Sequence, residues 1–151
     1  MKFFNLKDKP EYIPIVAKWF HEEWSHLNPS RSLEDVIDLI HKIFQSEADE
    51  IFICTSKQEV VSSITLRAYE LEHESEYSPW LSSLVVDKTK RRNGIGKKTI
   101  NFFIEYCQSH DISKVYLFTE NLNEWYAKLG WNTIKETTFK SHTGEIMGLA
   151  I

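Results

Sequence analysis

A basic segment that contains two glycines separates an apolar stretch from a stretch with helical periodicity. It consists of Arg91-Arg92-Asn93-Gly94-Ile95-Gly96, and Lys97 and Lys98 follow it. The first turn of a helix presents free backbone N–H groups and the positive end of the helix dipole, so it suits a phosphate group. Glycine has no side chain, so an anion can approach the backbone closely. The sequence therefore predicts an anion-binding loop at the start of a helix.

Two common phosphate-binding motifs do not account for this segment. A dinucleotide fingerprint needs a third glycine, and Thr99 stands in its place. The G-x-x-x-x-G-K-[ST] spacing of a P-loop is also absent. A solvated, charged loop in front of an ordinary helix remains the alternative that the residues alone leave open.

Two separate blocks of the sequence resemble the GNAT superfamily of N-acetyltransferases. Arg91-Arg92-Asn93-Gly94-Ile95-Gly96 is similar to the family signature R/Q-x-x-G-x-G/A, and the strand Leu84-Val85-Val86-Asp87 precedes it as in the family. Downstream, Trp125-Tyr126-Ala127-Lys128-Leu129-Gly130-Trp131 resembles the family element Y-x-K-x-G-[FYW]. The two blocks at this separation are far more specific than either block alone.

The resemblance implies acetyl-CoA as co-substrate, no metal, and a set of cofactor-binding positions. A bulge in the family separates the strand before the loop from the next strand, which places the thioester between Trp80–Val86 and Lys114–Phe118. Asn121 is the least secure position, because the segment around it departs from the family spacing and helix capping is an alternative role. The implied positions are Leu84, Val85 and Val86 for the pantetheine arm, Arg91, Arg92, Asn93, Gly94, Ile95, Gly96 and Lys97 for the pyrophosphate, and Asn121.

Acetyl transfer to an amine needs a proton acceptor, an oxyanion donor and a proton donor for the leaving thiolate. The resemblance implies Tyr126 as the general acid; the alternative is that its ring only packs between helix and sheet. The oxyanion donor is expected to be the backbone N–H of Val86 or Val85. No motif position gives the general base. The candidates are the acidic segment residues Glu70, Glu72, His73, Glu74 and Glu76, and a solvated acidic loop is the alternative.

Composition excludes several classes of function. The 151 residues carry a net charge of −4, which argues against a dedicated nucleic-acid binder. The N-terminus has no long apolar stretch, and no segment is apolar enough to span a membrane. The two cysteines, Cys54 and Cys107, are expected to be free thiols in a reducing compartment. The histidines are dispersed and form no metal-ligand spacing. We therefore expect a cytoplasmic protein.

Hydrophobic periodicity gives the element order β-α-α-β-β-β-α-β-α-β-β. This order predicts one α/β (α+β) domain over residues 1–151, with a mixed, mostly antiparallel sheet of about seven strands flanked by about four helices. Asp8 with Glu11, and Ser32 with Asp35, are predicted to start the first two helices. A final hairpin is predicted to turn at His142-Thr143-Gly144.

The expected activity is transfer of an acetyl group from acetyl-CoA to a primary amine by direct attack on the thioester. The expected acceptor is a small molecule or a peptide, with homodimerisation left open. The alternative is a GNAT-like module that binds acyl-CoA without turnover. A nucleic-acid binder using the basic loop is a third, disfavoured interpretation, because the total charge is negative and glycines interrupt the loop.

Overall fold

Seven strands form one sheet that is antiparallel except at its centre. The structure, a computed structural model, describes residues 1–151. The spatial order is β1-β2-β3-β4-β5-β7-β6, and only β4 and β5 pair in parallel. This arrangement confirms the predicted mixed, mostly antiparallel sheet. The strands are β1 (Lys2–Asn5), β2 (Glu50–Ser56), β3 (Glu59–Arg67), β4 (Trp80–Val86), β5 (Lys114–Thr119), β6 (Asn132–Phe139) and β7 (His142–Ala150).

Four helices cover the two faces of the sheet, which confirms the predicted number and order of elements. They are α1 (Ile13–Trp24), α2 (Leu33–Gln45), α3 (Ile95–Ser109) and α4 (Asn123–Lys128). Helices α1 and α2 supply one buried cluster, and α3 and α4 supply another. None of the helices combines the length and the apolar character that crossing a membrane requires.

Strand β2 contributes to both buried clusters because successive side chains of a strand point to opposite faces. Ile51 and Ile53 pack with α1 and α2, whereas Phe52 packs with α3. All three are at most 4% exposed. The run of apolar residues in β2 is therefore the sequence of an interior strand that helices cover on both faces.

The predicted cap of α2 is confirmed, and the predicted cap of α1 is wrong. The Asp35 amide donates to Ser32 Oγ at 3.1 Å, and the Ser32 amide donates to Asp35 Oδ2 at 2.9 Å. Before α1 the chain instead makes two 3-10 turns, Leu6–Asp8 and Pro10–Tyr12. Asn5 caps the first of them through its side chain, so α1 begins only at Ile13.

The final hairpin turns two residues earlier than predicted. Lys140 and Ser141 form the turn with φ angles of 47° and 68°, and His142 already pairs with Phe139. Gly144 lies within β7, where an added Cβ would stand 2.5 Å from the Thr119 carbonyl oxygen. This glycine is present because β5 and β7 approach closely there, and the sequence prediction mistook it for a turn signal.

Candidate active site

A cleft opens at the centre of the sheet because β4 and β5 diverge. They are in register at one position only, Trp80 opposite Tyr116, and the Tyr116 amide donates to the Pro79 carbonyl at 3.0 Å. Beyond this point the edge of β4 that faces β5 has no partner strand. The cleft that the resemblance implied between these strands is therefore present.

A bulge in β4 bends the strand at the inner end of the cleft. Ser63 lies opposite Val85 and Thr65 lies opposite Ser82, so β4 has one residue more than β3 over this stretch. Ser83 takes a φ of 52° within it. A bulge of this kind disrupts the ladder locally and redirects side chains, as expected beside a functional site.

The cleft leads into a cavity of about 700 Å³ on the side of α1 and α2. This volume falls within the usual range for small-molecule sites. The walls come from the end of α1, the loop to α2, the segment after β3, the bulge in β4, the end of β5 and α4. They include Trp24, Arg31, Tyr69, Glu70, Ser82, Ser83, Leu84, Leu117, Asn121 and Tyr126.

The basic loop ends in a helix start whose amides are free. Helix α3 begins at Ile95, and its first backbone bond runs from the Lys98 amide to the Gly94 carbonyl at 3.1 Å. The amides of Ile95, Gly96 and Lys97 therefore donate to no backbone carbonyl, as at any helix N-terminus. These are the donors that the sequence predicted for an anion.

The two glycines of the loop have different structural roles. Gly94 has a φ of +76°, and a Cβ added there would meet nothing within 4 Å. Gly96 lies under α4, where an added Cβ would stand 3.4 Å from the Trp125 ring and 3.7 Å from Val86 Cγ2. Gly94 thus provides an unusual backbone angle beside open space, whereas Gly96 provides close packing between α3, α4 and β4.

The basic side chains of the loop divide into fixed and available groups. Arg91 Nε donates to the Val86 carbonyl at 3.0 Å, and its guanidinium pairs with Glu23 of α1. The Arg91 side chain is therefore already bonded within the protein. Arg92 and Lys97 are exposed and form no ion pair, so they remain available to an anion.

Tyr126 lies on α4 and lines the cavity, and only 6% of the residue is exposed. The rings of Trp125 and Trp131 stand 4.9 and 5.9 Å from its ring. Burial raises the pKa of the Tyr126 phenol above its ordinary value. The group is therefore a neutral O–H donor over the physiological pH range.

Asn121 lies on the cavity wall and does not cap α4. The residue before the helix is Leu122, which makes no side-chain cap, and its amide donates to Thr119 Oγ1 at 3.0 Å. Capping by Asn121, the alternative considered from the sequence, is therefore wrong. The side chain is exposed and faces the cavity that also contains Tyr126.

The structure separates the acidic candidates for the general base. Glu74 is 4% exposed and pairs with Lys135 at 2.8 Å, and the bond from Lys135 lowers the pKa of its carboxyl. The imidazole of His73 is hydrogen-bonded to Thr137 at 3.1 Å. Glu72 and Glu76 are exposed and lie outside the cavity. Of the five, only Glu70 lines it.

The carboxyl of Glu70 lies in the cavity beside Ser82. Burial raises its pKa, and the Ser82 hydroxyl and the charge of Arg67 offset part of this effect. Arg67 itself pairs with Asp49 at 3.3 Å. Glu70 is therefore a carboxyl with a raised pKa and is a stronger base than an ordinary glutamate, which suits exchange of a proton with an amine.

Most of the cavity wall that the end of α1 and its following loop provide was not predicted from the sequence. Arg31 comes from this region, yet nothing in its position along the chain distinguishes it from other loop residues. The pairing of Glu23 with Arg91 was missed for the same reason, since the two lie 68 residues apart. Such contacts depend on how α1 crosses the sheet, which periodicity does not specify.

Comparisons with known proteins agree with this geometry. The sequence matches the Acetyltransferase (GNAT) family over residues 13–131. No curated protein sequence matches the chain significantly. Among solved structures, an aminoglycoside 6'-N-acetyltransferase complexed with coenzyme A has a TM-score of 0.80 at 14% identity, covering 99% of this chain and 97% of that one.

Two further structures show the same fold. An aminoglycoside 6'-N-acetyltransferase from Enterococcus faecium has a TM-score of 0.77 at 15% identity, covering 99% of this chain and 97% of that chain. A ribosomal-protein-alanine N-acetyltransferase from Brucella melitensis has a TM-score of 0.78 at 12% identity, with 100% of both chains covered. The family match spans most of the sequence, and the sheet, helices and central cleft agree with it. The chain belongs to the GNAT acetyltransferase family.

Proposed function

We propose that the protein is an acetyl-CoA-dependent N-acetyltransferase that acetylates a primary amine of a small molecule or peptide. One observation carries the proposal: the unpaired edge of β4 runs from the free amides at the start of α3 to a cavity that contains Tyr126 and Glu70. Three features thus follow one another along β4. They are a site for phosphate, a backbone edge for an arm that contains amides, and a cavity with two groups that can transfer protons.

The residues present fit the diphosphate and pantetheine groups of coenzyme A. The free amides of Ile95, Gly96 and Lys97 and the open space beside Gly94 suit a diphosphate. In this proposal Arg91, Arg92 and Asn93 complete the loop around it, with the exposed Arg92 and Lys97 side chains adding charge. Leu84, Val85 and Val86 form the stretch of β4 with the unpaired edge. The backbone groups of Leu84 and Val86 face this edge, where the amides of the pantetheine arm would pair as a neighbouring strand does.

The Val86 backbone is the better of the two expected oxyanion donors. The Asp87 amide donates to the Val61 carbonyl of β3 at 2.9 Å. Because successive backbone groups of a strand alternate between its two edges, the Val86 amide faces the cleft and the Val85 amide faces β3. Arg91 Nε holds the Val86 carbonyl at the same edge, so we infer that Arg91 yields this position to the pantetheine arm.

Three groups of the chain would then perform the transfer to an amine. Acetyl-CoA supplies an electrophilic thioester carbonyl. Glu70 accepts the proton that the acceptor ammonium must lose before its nitrogen lone pair can attack. The Val86 N–H donates to the carbonyl oxygen as negative charge develops there. As the carbon–sulfur bond breaks, the Tyr126 O–H donates its proton to the departing sulfur, and the second proton that the nitrogen loses on becoming an amide restores the Tyr126 phenol. Asn121 contacts the cofactor from the cavity wall.

The charge of the cavity and the similar structures both support an acceptor that carries an ammonium group. Among the carboxyl groups that line the cavity, Glu70 forms no ion pair, whereas Glu23 pairs with Arg91 and Glu120 lies against His26 and His142. One such carboxylate matches one ammonium group. The similar structures named for aminoglycoside and ribosomal-protein-alanine N-acetylation support amines on small molecules and at peptide ends as the first acceptors to screen.

Two measurements on the purified protein test the proposal. Calorimetry with coenzyme A is expected to show one binding site, and the loop variant Arg92→Glu/Gly94→Asp is expected to lose it. A screen of amines with acetyl-CoA is expected to release thiol with at least one class. Coenzyme A binding without turnover for any amine would support the acyl-CoA-binding module instead, and absence of binding would contradict both.

A further inference from the structure

Two histidines and a glutamate from distant parts of the sequence meet at the rim of the cavity. His26 lies in the loop after α1, Glu120 follows β5, and His142 begins β7. His26 Nε2 stands 2.8 Å from Glu120 Oε1, and His142 Nδ1 stands 3.5 Å from Glu120 Oε2. The histidines show no metal-ligand spacing along the sequence, but the fold brings two of them together around Glu120.

We propose that His26, Glu120 and His142 form a binding site for a transition-metal ion of the Zn²⁺ type. One ligand atom from each residue lies within 4.8 Å of the others. Donor atoms around a tetrahedral Zn²⁺ ion stand about 3.4 Å apart, as follows from bonds of about 2.1 Å. The observed separations bracket this value, so small side-chain movements close the site around an ion, with water as the fourth ligand.

The chemistry of the three ligands selects the class of ion. Two imidazole nitrogens with one carboxylate oxygen suit Zn²⁺ and its neighbours Co²⁺ and Ni²⁺, whereas Mg²⁺ and Ca²⁺ prefer oxygen ligands alone. The side chains are 46%, 29% and 37% exposed for His26, Glu120 and His142. An ion can therefore enter from solvent without unfolding of the surrounding segments.

The proposed ion would join three segments that surround the acceptor side of the cavity. These segments are the loop between α1 and α2, the connection from β5 to α4, and the hairpin between β6 and β7. His26 and Glu120 line the cavity directly. The site is structural: it takes no part in acetyl transfer, and the expectation that this chemistry needs no metal is unchanged. The inference does not depend on the proposed function.

Direct metal titration of the full chain tests the site. Protein freed of metal with a chelator is titrated with Zn²⁺ by calorimetry, and with Co²⁺ by its visible absorption. We expect one ion per chain and a raised Tm in the presence of Zn²⁺. Both cysteines are buried, so the Co²⁺ spectrum is expected to show nitrogen and oxygen ligands without a thiolate band.

Matched variants connect the binding to these residues. His26→Gln/His142→Gln is expected to weaken Zn²⁺ binding by about 100-fold or more. Changes to residues that merely support metal ligands already lower metal affinity by about 10–100-fold, and this variant removes two of the ligands themselves. Glu120→Gln serves as an independent variant if the double change alters folding. The control His41→Gln/His110→Gln removes two exposed histidines elsewhere and is expected to bind as the parent does. Equal affinity of parent and cluster variants, or equal loss in the control, would overturn the site, and neither outcome bears on coenzyme A binding.

Discussion

Glu70 and Tyr126 are ionisable groups of the cavity whose surroundings shift the pKa of each in the same direction, upward. Burial raises the pKa of both, but the consequences differ because the groups are proposed to do opposite tasks. For Glu70 a raised pKa strengthens a base that would otherwise be too weak to accept a proton from an ammonium. For Tyr126 it keeps the phenol in the protonated form in which it can donate to the departing sulfur.

Replacing the proposed base is expected to remove one limb of the pH profile. Glu70 must be ionised to act, and its raised pKa places the loss of activity on acidification above the ordinary glutamate range of about 4.3. Glu70→Gln is therefore expected to lower kcat by about 10²–10⁴-fold and to abolish this acidic limb. The measurement is kcat and kcat/KM against pH with the best acceptor.

The matched control for this variant is Glu76→Gln, which removes an exposed carboxylate of the same segment outside the cavity. It is expected to retain the parent profile. If both variants keep the acidic limb, another group must accept the proton.

Removing the phenol oxygen is expected to affect the chemical step and leave stability nearly unchanged. Burial alone raises the pKa of Tyr126, with no protein hydrogen bond contributing, so Tyr126→Phe breaks no such bond. We expect kcat to fall by about 10²-fold or more, with a Tm close to that of the parent. Tyr12→Phe, which removes a hydroxyl bonded to the Gln58 carbonyl at 2.9 Å, is the control and is expected to keep full kcat. A parental kcat in Tyr126→Phe would show that the ring only packs.

At the scale of elements, the sequence correctly predicted features that depend on contacts between residues close together in the chain. The Ser32 capping box is a contact between residues three apart, and it was predicted correctly. Asp8 carries the same kind of signal, but Asn5 caps a 3-10 turn first and delays the helix. The insertion of β7 between β5 and β6 depends on long-range pairing, for which the sequence holds no local signal.

The basic loop offers a test at this scale that separates backbone strain from ligand binding. Gly94 and Gly130 both have positive φ angles, +76° and +97°. An alanine at either position is expected to cost about 1–2 kcal/mol of stability, because a Cβ clashes in the left-handed region. Only Gly94→Ala places its methyl group in the open space where the diphosphate is proposed to lie.

We therefore expect Gly94→Ala to weaken coenzyme A binding severalfold in calorimetry, while Gly130→Ala binds as the parent does. Comparable Tm values for the two variants would show that the backbone cost is matched. Equal coenzyme A affinity in both would place the diphosphate elsewhere.

At the scale of the whole molecule, the basic loop and the helix that follows it were predictable, and the cavity was not. Arg91 to Gly96 and Tyr126 belong to continuous blocks whose spacing is visible in the sequence. His26 and Glu120, by contrast, are 94 residues apart and meet only because α1 ends over the diverging strands. The acceptor side is therefore assembled by the fold from segments that carry no shared pattern.

Strand β2 contributes side chains to both buried clusters, which leads to a prediction about unfolding. Ile51 and Ile53 pack in one buried cluster and Phe52 in the other, so disorder of β2 would disrupt both clusters together. A single domain over residues 1–151 stays a prediction, and it requires one cooperative transition. Thermal melts followed by far-ultraviolet circular dichroism and by tryptophan fluorescence are expected to coincide.

Coenzyme A is expected to move this single transition as a whole. A ligand at about 100 times its Kd adds about 2.7 kcal/mol to the free energy of unfolding, which corresponds to roughly 5–10 °C in Tm for a chain of this size. The increase should shrink at high salt, because Arg92 and Lys97 are exposed and their attraction for a diphosphate is screened. Arg92→Glu/Gly94→Asp should melt near the parent's ligand-free Tm and show no increase. Two separate transitions, with only one of them shifted by the ligand, would mean that the α1–α2 side folds independently of the loop, and the acceptor cavity between them would then not be rigid.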